Sequence, residues 1–276
     1  MSESFFVLED HDDAQRTVTA TDHTRGPWDP RAQHGGPPAA LIGQTVLAHH
    51  ARDDAQVVRL TVEIRRPVPI TRLHVTTGVA RPGHKVELLE AELHDDQGGH
   101  LLSARAWRIR TGELPVIPAD DGSGVIHGPV VEGDPIPGPD AAEESTSFFR
   151  EVRHTGYIQA IETRFVRGGW SAPGPSIAWL RMRYPLLDSE PTTPLARVLT
   201  AADSGNGISA RFQGLFINPD LTVYLTRLPA GEWIGLDART TLTNHGVGLA
   251  TSVIHDVQGP LGRGSQSLLL DTAAED

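Results

Sequence analysis

The chain has 276 residues, 38% of them hydrophobic and 21% charged, with no cysteine and a formal net charge of −11. Without cysteine there is no disulfide, no Cys-ligated zinc, no iron–sulfur cluster and no thiol nucleophile. No basic stripe suggests a nucleic-acid partner, and no apolar run approaches the ~18 residues of a membrane span. The opening residues lack the basic and apolar regions of a signal peptide, so a cytoplasmic protein is expected.

In chain order, strands are predicted over 4–9 and 15–22, then a helix over 36–52. That helix is apolar almost throughout, from Pro37 to Ala48. Its prolines sit in the first turn, where the missing N–H groups have no helical partner anyway. A helix apolar on all sides is expected to be buried. Strands follow near 57–66, 71–81, 85–94 and 101–110. Val62 and Ile64 alternate with polar neighbours, as half-buried antiparallel strands do.

A stretch of different character comes next. Residues 112–144 carry Glu113, Asp120, Asp121, Glu132, Asp134, Asp140, Glu143 and Glu144, six prolines and no Lys or Arg. This reads as a linker over 112–145, either a mobile connector or an ordered strap, between an amino-terminal unit at 1–111 and a carboxy-terminal unit at 146–276. Beyond it lie strands near 156–166 and 176–186, a helix over 192–204, and strands near 211–217, 220–227, 233–242, 247–256 and 264–270.

The two halves share a pattern. At an offset of 161, Leu60-Thr61-Val62 falls on Leu221-Thr222-Val223, Arg66 on Arg227, and His94-Asp95-x-Gln97-Gly98 on His255-Asp256-x-Gln258-Gly259. Residues 60–98 and 221–259 agree at 11 of 39 positions without a gap. An internal duplication is the simplest account. Each Asp-x-Gln-Gly falls between two strands and reads as a hairpin turn. Strand, helix, then a run of strands, with no βαβ alternation, gives an α+β class.

Four segments, in order, resemble the TesB-like acyl-CoA thioesterases. They are Gln33-His34-Gly35-Gly36-Pro37 at the first helix start, Ala202-Asp203-Ser204-Gly205 after the second helix, Asp220 to Arg227 on a strand, and Gly262-Arg263-Gly264-Ser265-Gln266 on the last strand. The family's His after the strand Asp is Leu221 here, and Ser-Leu-Leu follows Gln266. The resemblance implies a double hotdog fold, with two antiparallel sheets each wrapped around one long helix. It also implies hydrolysis of acyl-CoA or related acyl thioesters, with no cofactor, no metal ligand and a possible homo-oligomer.

On that resemblance Asp203 is the candidate general base. Burial desolvates a carboxylate and makes it a better proton acceptor near neutral pH. Thr222 and Gln266 are expected to hold the attacking water. Gly35 and Gly36 offer unpaired backbone N–H groups at a helix N-terminus, where the dipole favours a developing oxyanion. His34 is grouped with them as an oxyanion or substrate-binding residue. Only one such set is complete: the first helix carries no carboxylate and the second starts at Pro191-Thr192-Thr193-Pro194, without a glycine pair. One composite site per chain is therefore expected.

Two other readings stay open. An enoyl-thioester hydratase on the same frame needs an Asp–His pair, and no histidine is near Asp203 in the sequence. A non-catalytic acyl- or lipid-binding protein could dispense with Asp203 or Gln266, and both are present.

Overall fold

The computed structural model describes residues 3–113, 134–145, 156–211 and 214–271. Its first half runs β1 (Phe6–His11), β2 (Gln15–Ala20), α1 (Gly36–Ala48), β3 (Ala55–Ile64), β4 (Arg72–Arg81), β5 (Val86–Asp95) and β6 (His100–Arg110). The second half opens with β7 (Glu143–Glu144), α2 (Tyr157–Ala160), β8 (Ile161–Gly169), β9 (Ala172–Met182), α3 (Pro194–Ala202) and α4 (Gly205–Ser209). It closes with β10 (Leu215–Ile217), β11 (Asp220–Leu225), β12 (Ile234–Leu242), β13 (Val247–Asp256) and β14 (Gly259–Asp271). No helix among the described residues is long and apolar enough to cross a membrane.

The expectation of two sheets is corrected to one. The strands form a single sheet in the order β1-β2-β4-β5-β6-β3-β11-β14-β13-β12-β9-β8-β7, with β10 also paired to β14. The two half-sheets merge because β3 and β11, their inner edges, pair antiparallel with each other. An edge strand left open exposes unpaired N–H and C=O groups, and mutual pairing satisfies both edges at once. In that ladder Thr222 faces Thr61, while Val223 faces Leu60 and Leu221 faces Val62. This register fits a pseudo-two-fold axis passing between Thr61 and Thr222, since those two residues differ by the repeat offset itself.

Both hairpin turns form as expected. Asp95 Oδ1 accepts the Gln97 and Gly99 amides, and Asp256 Oδ1 accepts the Gln258 amide. Three element readings change. Helix α1 stops at Ala48 because His49 turns to extended backbone and His50 takes φ 43°. Residues 157–160 form a helical turn rather than a strand, led in by Gly156 at φ 67° and held by the Tyr157 amide on Arg25 O. The second helix ends at Ala202, and the residues after Ser204 start the separate helix α4. Of the acidic stretch, residues 114–133 lie outside the described residues. In the part that follows, Pro137 O accepts the Trp179 indole N–H at 2.7 Å and β7 pairs with β8.

Helices α1 and α3 lie against each other, antiparallel, under the sheet. Gly43 makes the close approach possible: a Cβ there would come within 2.2 Å of Leu199 Cδ1. Helix α1 is buried from Gly36 to Val46, in keeping with its all-round apolar sequence. Leu41 is fully buried. Leu41→Ala is expected to destabilise the fold by ~2–5 kcal/mol, from lost transfer energy and a residual cavity. Urea unfolding checks this, and an unchanged midpoint would show the helix to be peripheral.

Candidate active site

The antiparallel crossing brings the start of α1 onto the end of α3. The glycine pair is what permits it. A Cβ on Gly35 would stand 2.8 Å from Asp203 Oδ2, and one on Gly36 would stand 2.5 Å from the Thr200 carbonyl oxygen. Pro37 and Pro38 remove the next two N–H groups. Gly35 and Gly36 therefore supply the donors at this helix end. Among the described residues the Gly35 amide has no acceptor, whereas the Gly36 amide donates to His34 Nδ1 at 3.2 Å.

Asp203 caps α3 and is nearly buried, at 8% exposure. Its two oxygens differ. Oδ1 accepts the Gln266 amide at 3.0 Å and the Asn218 amide at 2.8 Å. Both lone pairs of Oδ1 are thereby used, which leaves Oδ2 as the basic oxygen. Oδ2 faces Gly35 and lies 3.0 Å from His34 Nδ1. A proton on Nδ1 serves Asp203 and a bare Nδ1 serves Gly36, so the ring can satisfy one of them at a time. Burial lowers the His34 pKa below its ordinary value of 6.5, an effect the Asp203 charge opposes, so the imidazole is neutral at pH 7.

The His34 ring stacks on Tyr157, centroids 3.8 Å apart and planes within 5°. Burial also raises the Tyr157 phenol pKa, and its hydroxyl bonds Thr200 O at 2.7 Å and Ser204 Oγ at 2.9 Å. Tyr157 thus ties the His34 loop to the end of α3.

Two residues expected to hold the attacking water are placed differently. Thr222 is not brought to Asp203. Along β11 the buried residues are Leu221, Val223 and Leu225, so Thr222 points from the opposite face. Its hydroxyl donates to Thr61 Oγ1 at 3.1 Å on the pseudo-axis. Gln266 is brought to Asp203, but behind it. Its amide hydrogens go to Asp203 Oδ1 and the Asp203 carbonyl, and its Oε1 accepts the Asn206 amide. No amide hydrogen is left for a water.

Asn218 and the nearness of His34 to Asp203 were not foreseen. The signal for Asn218 was its place two residues before Asp220, in the turn that leads into β11. The argument against a hydratase from the lack of a nearby histidine is also corrected: His34 and Asp203 are 169 positions apart and touch in space.

This cluster opens into a cavity of about 390 Å³. His34, Gly35, Asp203, Asn206 and Asn218 form its polar end. Ile64, Leu102, Ile158, Trp170, Phe216 and Trp28 supply apolar wall. A mostly apolar cavity with a few converging polar groups suits a fatty or aromatic acyl group whose reactive carbon sits at one end. Elsewhere, Glu92, His94 and His100 bring one donor atom each within 4.8 Å of one another, but none of the three lines the cavity.

Comparisons with known proteins bear on the family and the fold. The family model of the acyl-CoA thioesterase N-terminal domain matches residues 24–109, and that of the C-terminal domain matches residues 132–270. No curated protein matches the chain. Three solved structures share the fold at low identity. A hot dog fold protein of unknown function from Alicyclobacillus acidocaldarius is 17% identical, with TM-score 0.74 over 97% of this chain and 97% of its own. A proposed thioesterase from Novosphingobium aromaticivorans is 21% identical, with TM-score 0.73 over 96% of this chain and 98% of its own. The acyl-CoA thioesterase II TesB2 of Mycobacterium marinum is 13% identical, with TM-score 0.64 over 98% of this chain and 96% of its own.

Proposed function

Because this chain belongs to the acyl-CoA thioesterase family, we propose that it hydrolyses acyl-CoA thioesters with Asp203 as the general base. The reading is supported by one observation: Asp203 Oδ2 lies against Gly35, whose amide has no acceptor among the described residues, and both residues line the same mostly apolar cavity. Water gives a proton to Oδ2 as its oxygen bonds the thioester carbon. The carbonyl oxygen becomes an oxyanion, which the Gly35 N–H stabilises. In the ring tautomer that carries its proton on Nδ1, His34 donates to Asp203 instead of accepting from Gly36, and the Gly36 N–H is then free to join it. The C–S bond then breaks, and Asp203 returns the proton to the departing sulfur.

In this scheme Gln266 and Asn218 are positioning residues. They fix Oδ1 and so aim Oδ2. The units 1–111 and 146–276 are taken as two hotdog repeats joined by 112–145, and the setting as cytoplasmic. Thiol release from a panel of acyl-CoAs, followed with a chromogenic thiol reagent, tests the activity. Release with none of the panel would refute it.

The His34–Asp203 contact favours hydration of an enoyl thioester as a second reading. Water would then add across the double bond and no thiol would appear, so the same assay separates the two.

The other end of the helix pair supports a single site per chain. There Gln44 accepts the Thr193 amide and donates to Glu190, whose carboxylate pairs with the buried Arg16 at 2.7 Å. Glu190 supplies a carboxylate that α1 lacks, but Arg16 and Gln44 occupy it. Calorimetry with a non-hydrolysable acyl-CoA analogue is expected to give one site per chain. Two equal sites would refute the composite arrangement.

A further inference from the structure

The cavity lining includes an arginine pair with no carboxylate in ion-pair contact among the described residues. Arg65 and Arg66 directly follow β3, and both line the cavity that holds Asp203. Both are exposed. Their backbone is fixed: the two amides donate to Leu101 O at 2.9 and 3.4 Å, and the Ile64 amide donates to Pro219 O at 2.7 Å. Their side chains are otherwise idle. Arg65 reaches Ser103 Oγ at 3.5 Å, and among the described residues no carboxylate lies within 4.0 Å of either guanidinium. Exposed arginines such as Arg81, Arg110 and Arg239 also lack a carboxylate partner among the described residues, but Arg65 and Arg66 are the ones that line this cavity.

The internal repeat sharpens the contrast. Arg66 corresponds to Arg227, and Asp95 to Asp256, at the shared offset. In the second half the arginine is locked in place. Arg227 forks onto both oxygens of Asp256, at 2.5 and 2.7 Å. In the first half Asp95 keeps only its turn-forming bonds. The second half holds this arginine in an ion pair, whereas the equivalent Arg66 has no carboxylate partner among the described residues and lines the cavity. In a chain of net charge −11, two unpaired guanidinium groups in that lining create a local anion site. Planar guanidinium is well matched to phosphate oxygens.

We propose that Arg65 and Arg66 bind the phosphate groups of the coenzyme A nucleotide while the acyl group fills the cavity. This rests on the thioesterase reading above and deepens it. The pair then selects thioesters that carry the nucleotide over those that end at pantetheine.

Steady-state kinetics of the full chain and its R65Q/R66Q variant, each with an acyl-CoA and the same acyl group on pantetheine, test this. For acyl-CoA the double variant is expected to raise KM about 10–100-fold, the scale of losing charge-assisted bonds, with kcat within about twofold. For acyl-pantetheine both constants stay near wild type. Rising salt is expected to raise the wild-type KM for acyl-CoA more than that of the variant. An unchanged KM for acyl-CoA overturns the proposal, and so does an equal rise for both thioesters. Loss confined to an acyl-carrier-protein substrate would assign the pair to a protein partner and also overturn it. Wild-type protein that hydrolyses neither thioester would instead refute the thioesterase reading, so the two failures are distinguishable.

Discussion

Asp203→Asn is expected to lower kcat for acyl-CoA hydrolysis by ~10²–10⁴, the scale of removing a general base. The substitution suits the surroundings. The new amide oxygen can take the place of Oδ1 and accept the Asn218 and Gln266 amides as before. Its NH2 then occupies the position of Oδ2, beside His34 Nδ1, and can donate to the bare ring nitrogen. The ring nitrogen then accepts either this amide or the Gly36 N–H, one at a time as before, and the Oδ1 bonds are kept, so the thermal midpoint is expected to stay close to wild type. What is lost is the carboxylate oxygen that Gln266 and Asn218 do not already engage. A variant that folds normally and turns over at the wild-type rate would remove Asp203 from the chemistry. A variant that fails to fold would leave the question to Asn218→Ala, which frees one lone pair of Oδ1 without touching the carboxylate. That change disturbs the aim of Oδ2, and a smaller fall in kcat is expected.

The fold was legible where local chemistry repeats. The Asp-x-Gln-Gly turns, the alternation along β3, and the apolar α1 each report a local constraint, and each forms. The merged sheet was not legible, because the pairing of β3 with β11 joins edges 161 positions apart and leaves no mark in either strand. The site divides in the same way. Asp203, Gly35 and Gly36 stand at helix ends, where function and chain direction coincide, and the structure brings them together. Gln266 lies beside Asp203, with its amide nitrogen engaged by the Asp203 carbonyl and Oδ1; a strand position predicts burial but not which hydrogens are already engaged. Thr222 was misplaced by face: a period of two gives an even choice, and the sequence offered nothing to make it. His34 and Asn218 reach Asp203 from loops. Their contact depends on how α1 crosses α3, and that crossing is set by the tolerance for bulk at Gly35, Gly36 and Gly43.

That tolerance makes Gly36→Ala the second large effect. The position does not need glycine for its backbone angles, since it is the first residue of α1 and only positive-φ glycines require that freedom. It needs the space. The added methyl would stand 2.5 Å from Thr200 O, a backbone atom that also accepts the Tyr157 hydroxyl. No flexible side chain can move aside, so the start of α1 and the end of α3 must separate. Overpacking of this kind costs ~1–3 kcal/mol. The same shift carries the Gly35 amide away from Asp203 Oδ2, and a displacement of about 1 Å in a reacting geometry costs on the order of 10²-fold in rate. Urea unfolding and kcat are the two measurements. Gly98→Ala is the matched control. Gly98 has φ 76°, and a Cβ there meets nothing within 4 Å. A left-handed alanine in that hairpin turn is expected to cost ~1–2 kcal/mol with kcat unchanged. If Gly36→Ala matches the control in both stability and rate, the helix ends do not set the geometry of catalysis. A rate loss in Gly36→Ala alone, at equal stability loss, ties the reaction to the meeting of α1 and α3.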